Sequence, residues 1–292
     1  MTVTPLDERY LRLHPLPTHS EGDKHSRGRV LVIAGHLDLP GAALLAGLGA
    51  LRAGAGVLRI ATCRTNAPHL GVAMPEAMVI GCSENSAGEI AIQNGPRLLE
   101  LAKNSDAVLI GPGMLDESSV GQLCSFLLKE AEGPTFVLDA AAFTSLREME
   151  LPAKQVGRIV CTPHFGEMAK FLDRDRDDIK KNALQAAVET ARRLRAVVAL
   201  KGSSTHVVSF QGDAVLNDQG TIGLATSGSG DTLAGIIAGL IARGAAAFLA
   251  TAWGVYLHAA AGRNLARQIG PLGLLARQLP NEIPTIIRGL SG

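Results

Sequence analysis

Ser227-Gly228-Ser229-Gly230-Asp231-Thr232-Leu233-Ala234-Gly235 is a flexible turn that runs straight into an apolar stretch. Glycine lets the backbone take positive φ and come close to a ligand. The first turn of the helix that follows leaves N–H groups unpaired, and these attract phosphate oxygens. Asp231 stands at the join, where it can face a phosphate and take a proton from a neighbouring hydroxyl. The bland alternative is an aspartate that merely caps the helix.

Before this turn, short apolar runs alternate with helical patterns. The runs Arg29–Ala34, Val57–Ala61, Ala77–Ile80, Ala107–Ile110, Thr135–Leu138, Arg158–Cys161, Val197–Leu200 and Thr205–Phe210 read as strands. Most are continuously apolar, as strands covered on both faces are. Helices are expected over Ala42–Ala53, Gly95–Ala102, Ser118–Ala131, Glu167–Leu172 and Asp178–Leu194, with two more after Asp231. Such alternation implies right-handed crossovers and a mainly parallel sheet. Val207–Phe210 and Ala214–Leu216, joined by Gln211-Gly212-Asp213, read as an antiparallel hairpin near one edge. The run Asp173–Asp178 reads as a solvated loop leading to a helix cap. A polar leader over 1–23 and one domain over 24–292 is the simplest division.

The polar residues gather just after strands: Gly35-His36, Gly111-Pro112-Gly113, Asp139, Thr162-Pro163-His164 and Lys201-Gly202. Ligands of open α/β sheets bind outside these carboxyl ends, so the five are expected on one rim. Each alone is ambiguous. Gly111-Pro112-Gly113 fits any tight turn, His164 could bond only to nearby backbone, and Lys201 could be solvated. No GxxxxGK[ST], opening GxGxxG or HExxH spacing is present.

Apolar residues make up 47% of the 292, enough for a large core, but aromatics only 3%, so small side chains must do much of the packing. A net charge of +1 gives no reason to expect nucleic acid or an anionic membrane as partner. Four cysteines without a CxxC pair suit a reduced, cytoplasmic protein. Residues 244–262 carry no formal charge, yet are mostly alanine and glycine with His258 among them, and read as a buried helix rather than a membrane span.

Taken in order, the motifs resemble the ADP/ATP-dependent NAD(P)H-hydrate dehydratases, a branch of the ribokinase-like superfamily. The resemblance runs from about Lys24 to the C-terminus, through Gly28–Gly35, Pro40-Gly41-Ala42-Ala43, Leu51–Gly56, Pro75-Glu76, Gly111-Pro112-Gly113, Thr162–Met168, Lys201-Gly202 and Gly228-Ser229-Gly230-Asp231. It implies a three-layer α/β fold with helices on both faces of a mainly parallel sheet. It implies an enzyme that spends ADP or ATP, with Mg²⁺, to phosphorylate the hydroxyl of hydrated NADH or NADPH and then eliminate phosphate. By resemblance, Asp231 is the catalytic base, and Gly228, Ser229 and Gly230 form the anion hole. Lys201, Gly202, Ser203, Ser204 and Thr205 hold the adenine nucleotide, and Ala42, Gly113 and His164, with Asp231, contact the substrate. No metal ligands are assigned. The resemblance further implies a homo-oligomer, a tetramer among the options, and an epimerase acting upstream as a separate protein.

The chain departs from the pattern at two places. Asp139-Ala140-Ala141-Ala142-Phe143 keeps the first carboxylate of the usual Asp-Ala-Asp-Ala-Leu but has Ala141 for the second, and Ser227 stands where glycine is common. A small-molecule alcohol kinase of the same superfamily, and a nucleotide-binding protein without turnover, are the competing readings.

Overall fold

The computed structural model describes residues 2–18 and 23–290. The chain runs β1 (Thr4–Pro5), α1 (Glu8–Leu13), β2 (Arg29–Ile33), α2 (Gly41–Arg52), β3 (Val57–Cys63), α3 (Ala67–Ala73), β4 (Ala77–Cys82), α4 (Gly95–Lys103), β5 (Ala107–Ile110) and α5 (Glu117–Glu130). It continues through β6 (Thr135–Leu138), α6 (Ala140–Thr144), β7 (Ile159–Cys161), α7 (Phe165–Leu172), α8 (Arg176–Lys181), α9 (Ala183–Leu194) and β8 (Val197–Leu200). Last come β9 (Thr205–Ser209), β10 (Ala214–Asn217), α10 (Ser229–Ala242), α11 (Ala247–Gln268) and α12 (Leu279–Leu290).

The strands form one sheet in the order β1-β10-β9-β8-β7-β6-β5-β2-β3-β4, parallel except where β9 pairs with β8 and β10. Both faces are covered, which is why the strands read as unbroken apolar runs. Val30 and Val32 enter one core, with α2, α10 and α11, while Leu31 and Ile33 enter the other, with α4, α5 and α9. The chain leaves β2 for β3 and β4, then returns to the opposite side of β2 as β5. That reversal opens a crevice at the carboxyl ends of β2 and β5, where ligands of such folds bind.

Small residues set the position of α10. A Cβ on Gly235 would lie 2.0 Å from Ala46 O, one on Gly239 2.4 Å from Ala50 O, and one on Gly49 2.6 Å from Thr232 O. Only glycine lets the backbones of α2 and α10 approach this closely, and their contact fixes where the tip of α10 points.

Three expectations differ from the structure. The helix expected over Asp178–Leu194 is two, broken at Asn182, whose side chain bonds back to Asp178 O and Oδ1. Three helices, not two, follow the 227–231 turn, since α12 closes the chain. Part of the polar leader is built into the fold: Thr4 pairs with Val215, and Leu6, Leu11 and Leu16 are buried. The leader's Met1 and residues 19–22 lie outside the described residues. α11 is buried over most of its length, and among the described residues no helix is long and apolar enough to cross a membrane.

Candidate active site

The five strand ends meet on one rim. Gly35 N donates to Pro112 O at 2.8 Å, and Gly111, at φ +123, leaves only 2.0 Å between a would-be Cβ and Asp139 O. Asp139 Oδ1 accepts from Thr162 Oγ1 at 2.6 Å and from Lys201 Nζ at 2.8 Å. Lys201 N in turn donates to Pro163 O at 2.7 Å. The strand-end lysine is thus not a solvated one: it is largely buried and paired with a carboxylate that is 3% exposed. Burial alone would lower its pKa, but Asp139 and Glu167 outweigh burial and hold it above its ordinary value, so Lys201 is a fixed cation.

The tip of α10 faces this cation. Gly228, at φ +84, ends the turn as the N-cap, and no side chain caps the helix. Asp231 is therefore the third helical residue, not the cap, and its carboxylate is not spent on capping. Thr232 N closes the first backbone bond to Gly228 O at 3.1 Å, so by helix geometry the amides of Gly230 and Asp231 precede the ladder. Lys201 Nζ lies 3.3 Å from where a Cβ on Gly230 would sit. Ser227 is not among the residues with positive φ, so its side chain is accommodated without strain.

Asp231 carries a pKa pushed up to about 6. Burial is the main cause, with the like charge of Asp139 next and the Lys201 ammonium pulling the other way. A carboxylate poised there is ionised at neutral pH yet retains proton affinity, as a general base requires.

A cavity of about 970 Å³ opens beside the tip. Of the expected residues, His164, Lys201, Gly202, Ser203, Thr205, Ser229 and Gly230 line it. Ser204, Gly228 and Asp231 are not on its wall: a Cβ on Gly202 would lie 3.0 Å from Ser204 O, Gly228 packs under Leu45, and Asp231 sits one residue beyond the lining residue Gly230, within electrostatic reach of Lys201 and Asp139. His164 both caps and lines. Its Nδ1 accepts from Glu167 N at 3.0 Å and Glu167 Oε2 accepts from His164 N at 2.7 Å, which leaves Nε2 to carry the proton of the neutral ring. Ala42 and Gly113 meet elsewhere, at the β2/β5 crevice: a Cβ on Gly113 (φ +67) would lie 2.5 Å from Ala42 Cβ. Leu45, one turn after Ala42, presses on Gly228 and joins the two regions.

Some lining residues were not singled out from the sequence. His258 Nε2 lies 3.0 Å from Ser229 Oγ; burial pushes its pKa down to about 4, so it is neutral and orients the Ser229 hydroxyl. Arg176 and Lys180 bring two cations from α8, while Asp177 is the single Asp or Glu on the wall. A lone polar residue inside an apolar segment was the available signal for His258. Among the described residues no cluster of three or more His, Cys, Asp or Glu side chains is arranged to hold a metal. All four cysteines are buried and free. Ala141, buried in the first turn of α6, adds no carboxylate to the rim.

The profile of the NAD(P)H-hydrate dehydratase family matches residues 30–285. The ADP-dependent (S)-NAD(P)H-hydrate dehydratase of Xanthomonas campestris is 44% identical over 279 residues, 95% of this chain and 93% of that protein. The bifunctional NAD(P)H-hydrate repair enzyme Nnr of Thermofilum pendens is 35% identical over 94% of this chain, which spans 52% of it. Among solved structures, the ADP/ATP-dependent NAD(P)H-hydrate dehydratase of Bacillus subtilis, co-crystallised with ATP/Mg²⁺, superposes with a TM-score of 0.85 at 31% identity, covering 99% of each chain. The three-layer architecture is that of these ribokinase-like proteins, and the chain belongs to the NAD(P)H-hydrate dehydratase family.

Proposed function

We propose that this chain uses ADP or ATP to dehydrate hydrated NADH or NADPH, restoring the reduced cofactor. The observation that carries the reading is Asp231: a carboxylate with raised proton affinity at a helix tip, facing a fixed lysine and open amides. Asp231 takes the proton from the substrate hydroxyl, whose oxygen attacks the terminal phosphorus of the nucleotide. The bond from that phosphorus to the bridging oxygen breaks, and AMP or ADP departs. Gly228, Ser229 and Gly230 stabilise the transferring phosphoryl group, and Lys201 neutralises charge beside it. The C–O bond of the new phosphate ester then breaks as a proton leaves the neighbouring ring carbon to solvent, which restores the ring double bond and releases inorganic phosphate, a far better leaving group than hydroxide.

Lys201, Gly202, Ser203, Ser204 and Thr205 hold the nucleotide. Ala42, Gly113 and His164, with Asp231, hold the substrate, where the small side chains of the crevice leave room for a ring. Mg²⁺ would be held chiefly by the nucleotide phosphates and water, where it would offset their charge, because such ions favour phosphate and water over a cage of side chains. Asp139 is already bonded to Lys201 and Thr162, and Glu167 to His164 N, so the proposal assigns no protein carboxylate to it. The proposal includes one domain over 24–292 to which β1 and α1 of the leader are joined, a cytoplasmic setting consistent with four free cysteines, a homo-oligomer, and an epimerase acting upstream.

Incubation with hydrated NADH and ADP or ATP tests it. Return of dihydronicotinamide absorbance with release of inorganic phosphate supports the reading. Transfer of phosphate to another alcohol without reduced cofactor would instead identify a kinase, and binding without turnover a sensor.

A further inference from the structure

The wall of the cavity beside α10 mixes polar groups, those of Lys201, Ser229 and Gly230 among them, with apolar side chains, Ile222, Leu224 and Val255. A nucleotide offers the matching pair of chemistries, with charged phosphates and a flat base. Asn217 also lines this cavity, and it is 3% exposed. Its Oδ1 is buried without a hydrogen-bond partner, and its amide nitrogen has no bond to the protein either. Buried polar atoms are normally satisfied, so an unmet amide in a cavity wall marks a missing ligand group. The backbone beneath it is fixed, since Asn217 ends β10 and pairs with Thr205 of β9, itself a residue of the nucleotide segment. The side-chain amide turns about a broad torsion at little cost, and nothing in the protein holds it.

We infer that Asn217 reads the base of the nucleotide, accepting from the exocyclic amino group of adenine and donating to a ring nitrogen. An amide carries one donor and one acceptor side by side, the complement of adenine's edge. This rests on the nucleotide-cleft reading above and adds the source of its base preference. Asn217 is a specificity residue that acts at binding, away from the transferred phosphoryl group.

The test compares ADP with the 5′-diphosphate of unsubstituted purine riboside, which lacks the amino group. Calorimetric titration uses the wild-type chain and Asn217→Leu, with Asn217→Ala as a second variant. The wild type is expected to prefer ADP by about tenfold, the scale of a lost base-reading contact. Asn217→Leu should bind both diphosphates with the affinity the wild type shows for the analogue. Its melting temperature should not fall, because the amide has no partner in the protein to lose. A variant that keeps the preference, or that weakens both ligands equally, overturns the inference. If the wild type binds neither diphosphate, the nucleotide-cleft reading fails first, and the role of Asn217 with it.

Discussion

Lys201 Nζ and Asp139 Oδ1 lie 2.8 Å apart although 62 residues separate them in the chain. The pair joins the carboxyl ends of β6 and β8 and sets the charge that Asp231 meets. Asp139 pushes the Asp231 pKa up and Lys201 pulls it down.

Asp231 gives the pH dependence a definite sign. The proposed general base works ionised, so kcat/KM should rise through about pH 6 and level off above it. For stability the direction is opposite. A folded-state pKa above the unfolded value contributes stability below about pH 4 that is lost as pH rises through about 6. Asp231→Asn should therefore stabilise the protein at pH 7 by about 1–2 kcal/mol, allowing for partial exposure, and give no gain below pH 4. Chemical denaturation at the two pH values checks this.

Lys201→Met removes the partner of a buried carboxylate. The expected cost is about 3 kcal/mol, read from denaturant midpoints. Asp231 also loses the one neighbour that lowers its pKa, so the acidic limb of any residual kcat/KM profile should move above pH 6. A limb that stays in place would show that the two groups are not coupled.

Gly235→Ala places a methyl group against Ala46 O and should destabilise by about 3 kcal/mol, because neither backbone can yield without moving α10. Gly41→Ala is the contrast. A Cβ there meets nothing within 4 Å, and the substitution should stabilise by about 0.5–1 kcal/mol. Thermal melts of the two variants separate close helix packing from general glycine effects.

Gly113→Ala combines positive φ with overlap on Ala42. It should raise KM for the hydrated dinucleotide about tenfold or more, since the crevice loses its shape, while ADP affinity stays within about twofold. Equal loss of both would place Ala42 and Gly113 outside a separate substrate region.

Much of the fold was legible because burial on both faces leaves a plain mark. Val30 to Ile33 and Ala107 to Ile110 are apolar throughout, as central strands must be. Asp231 was legible because glycines, a carboxylate and an apolar helix coincide in nine residues. The break at Asn182 was not, since Arg176–Leu194 keeps helical composition across it and only a side-chain bond back to Asp178 marks the interruption. The Asp139–Lys201 pair was hidden by its separation along the chain. Each residue was visible at a strand end, but the bond depends on the order of strands in the sheet. His258 and Asn217 were passed over for a related reason. His258 is a single polar residue in an apolar segment and Asn217 closes a short strand ahead of the polar Asp218 and Gln219; neither has a local partner to announce it, and its meaning appears only when the cavity is assembled.

Phosphate release and cofactor recovery measured together, for wild type and Asp231→Asn, bear most directly on the role of the α10 tip. Wild-type protein given hydrated NADPH and ADP should form one inorganic phosphate for each reduced cofactor regained. Asp231→Asn should bind ADP with near wild-type affinity and form neither product. Recovery of cofactor by Asp231→Asn at a comparable rate would contradict the assignment of Asp231 as the base.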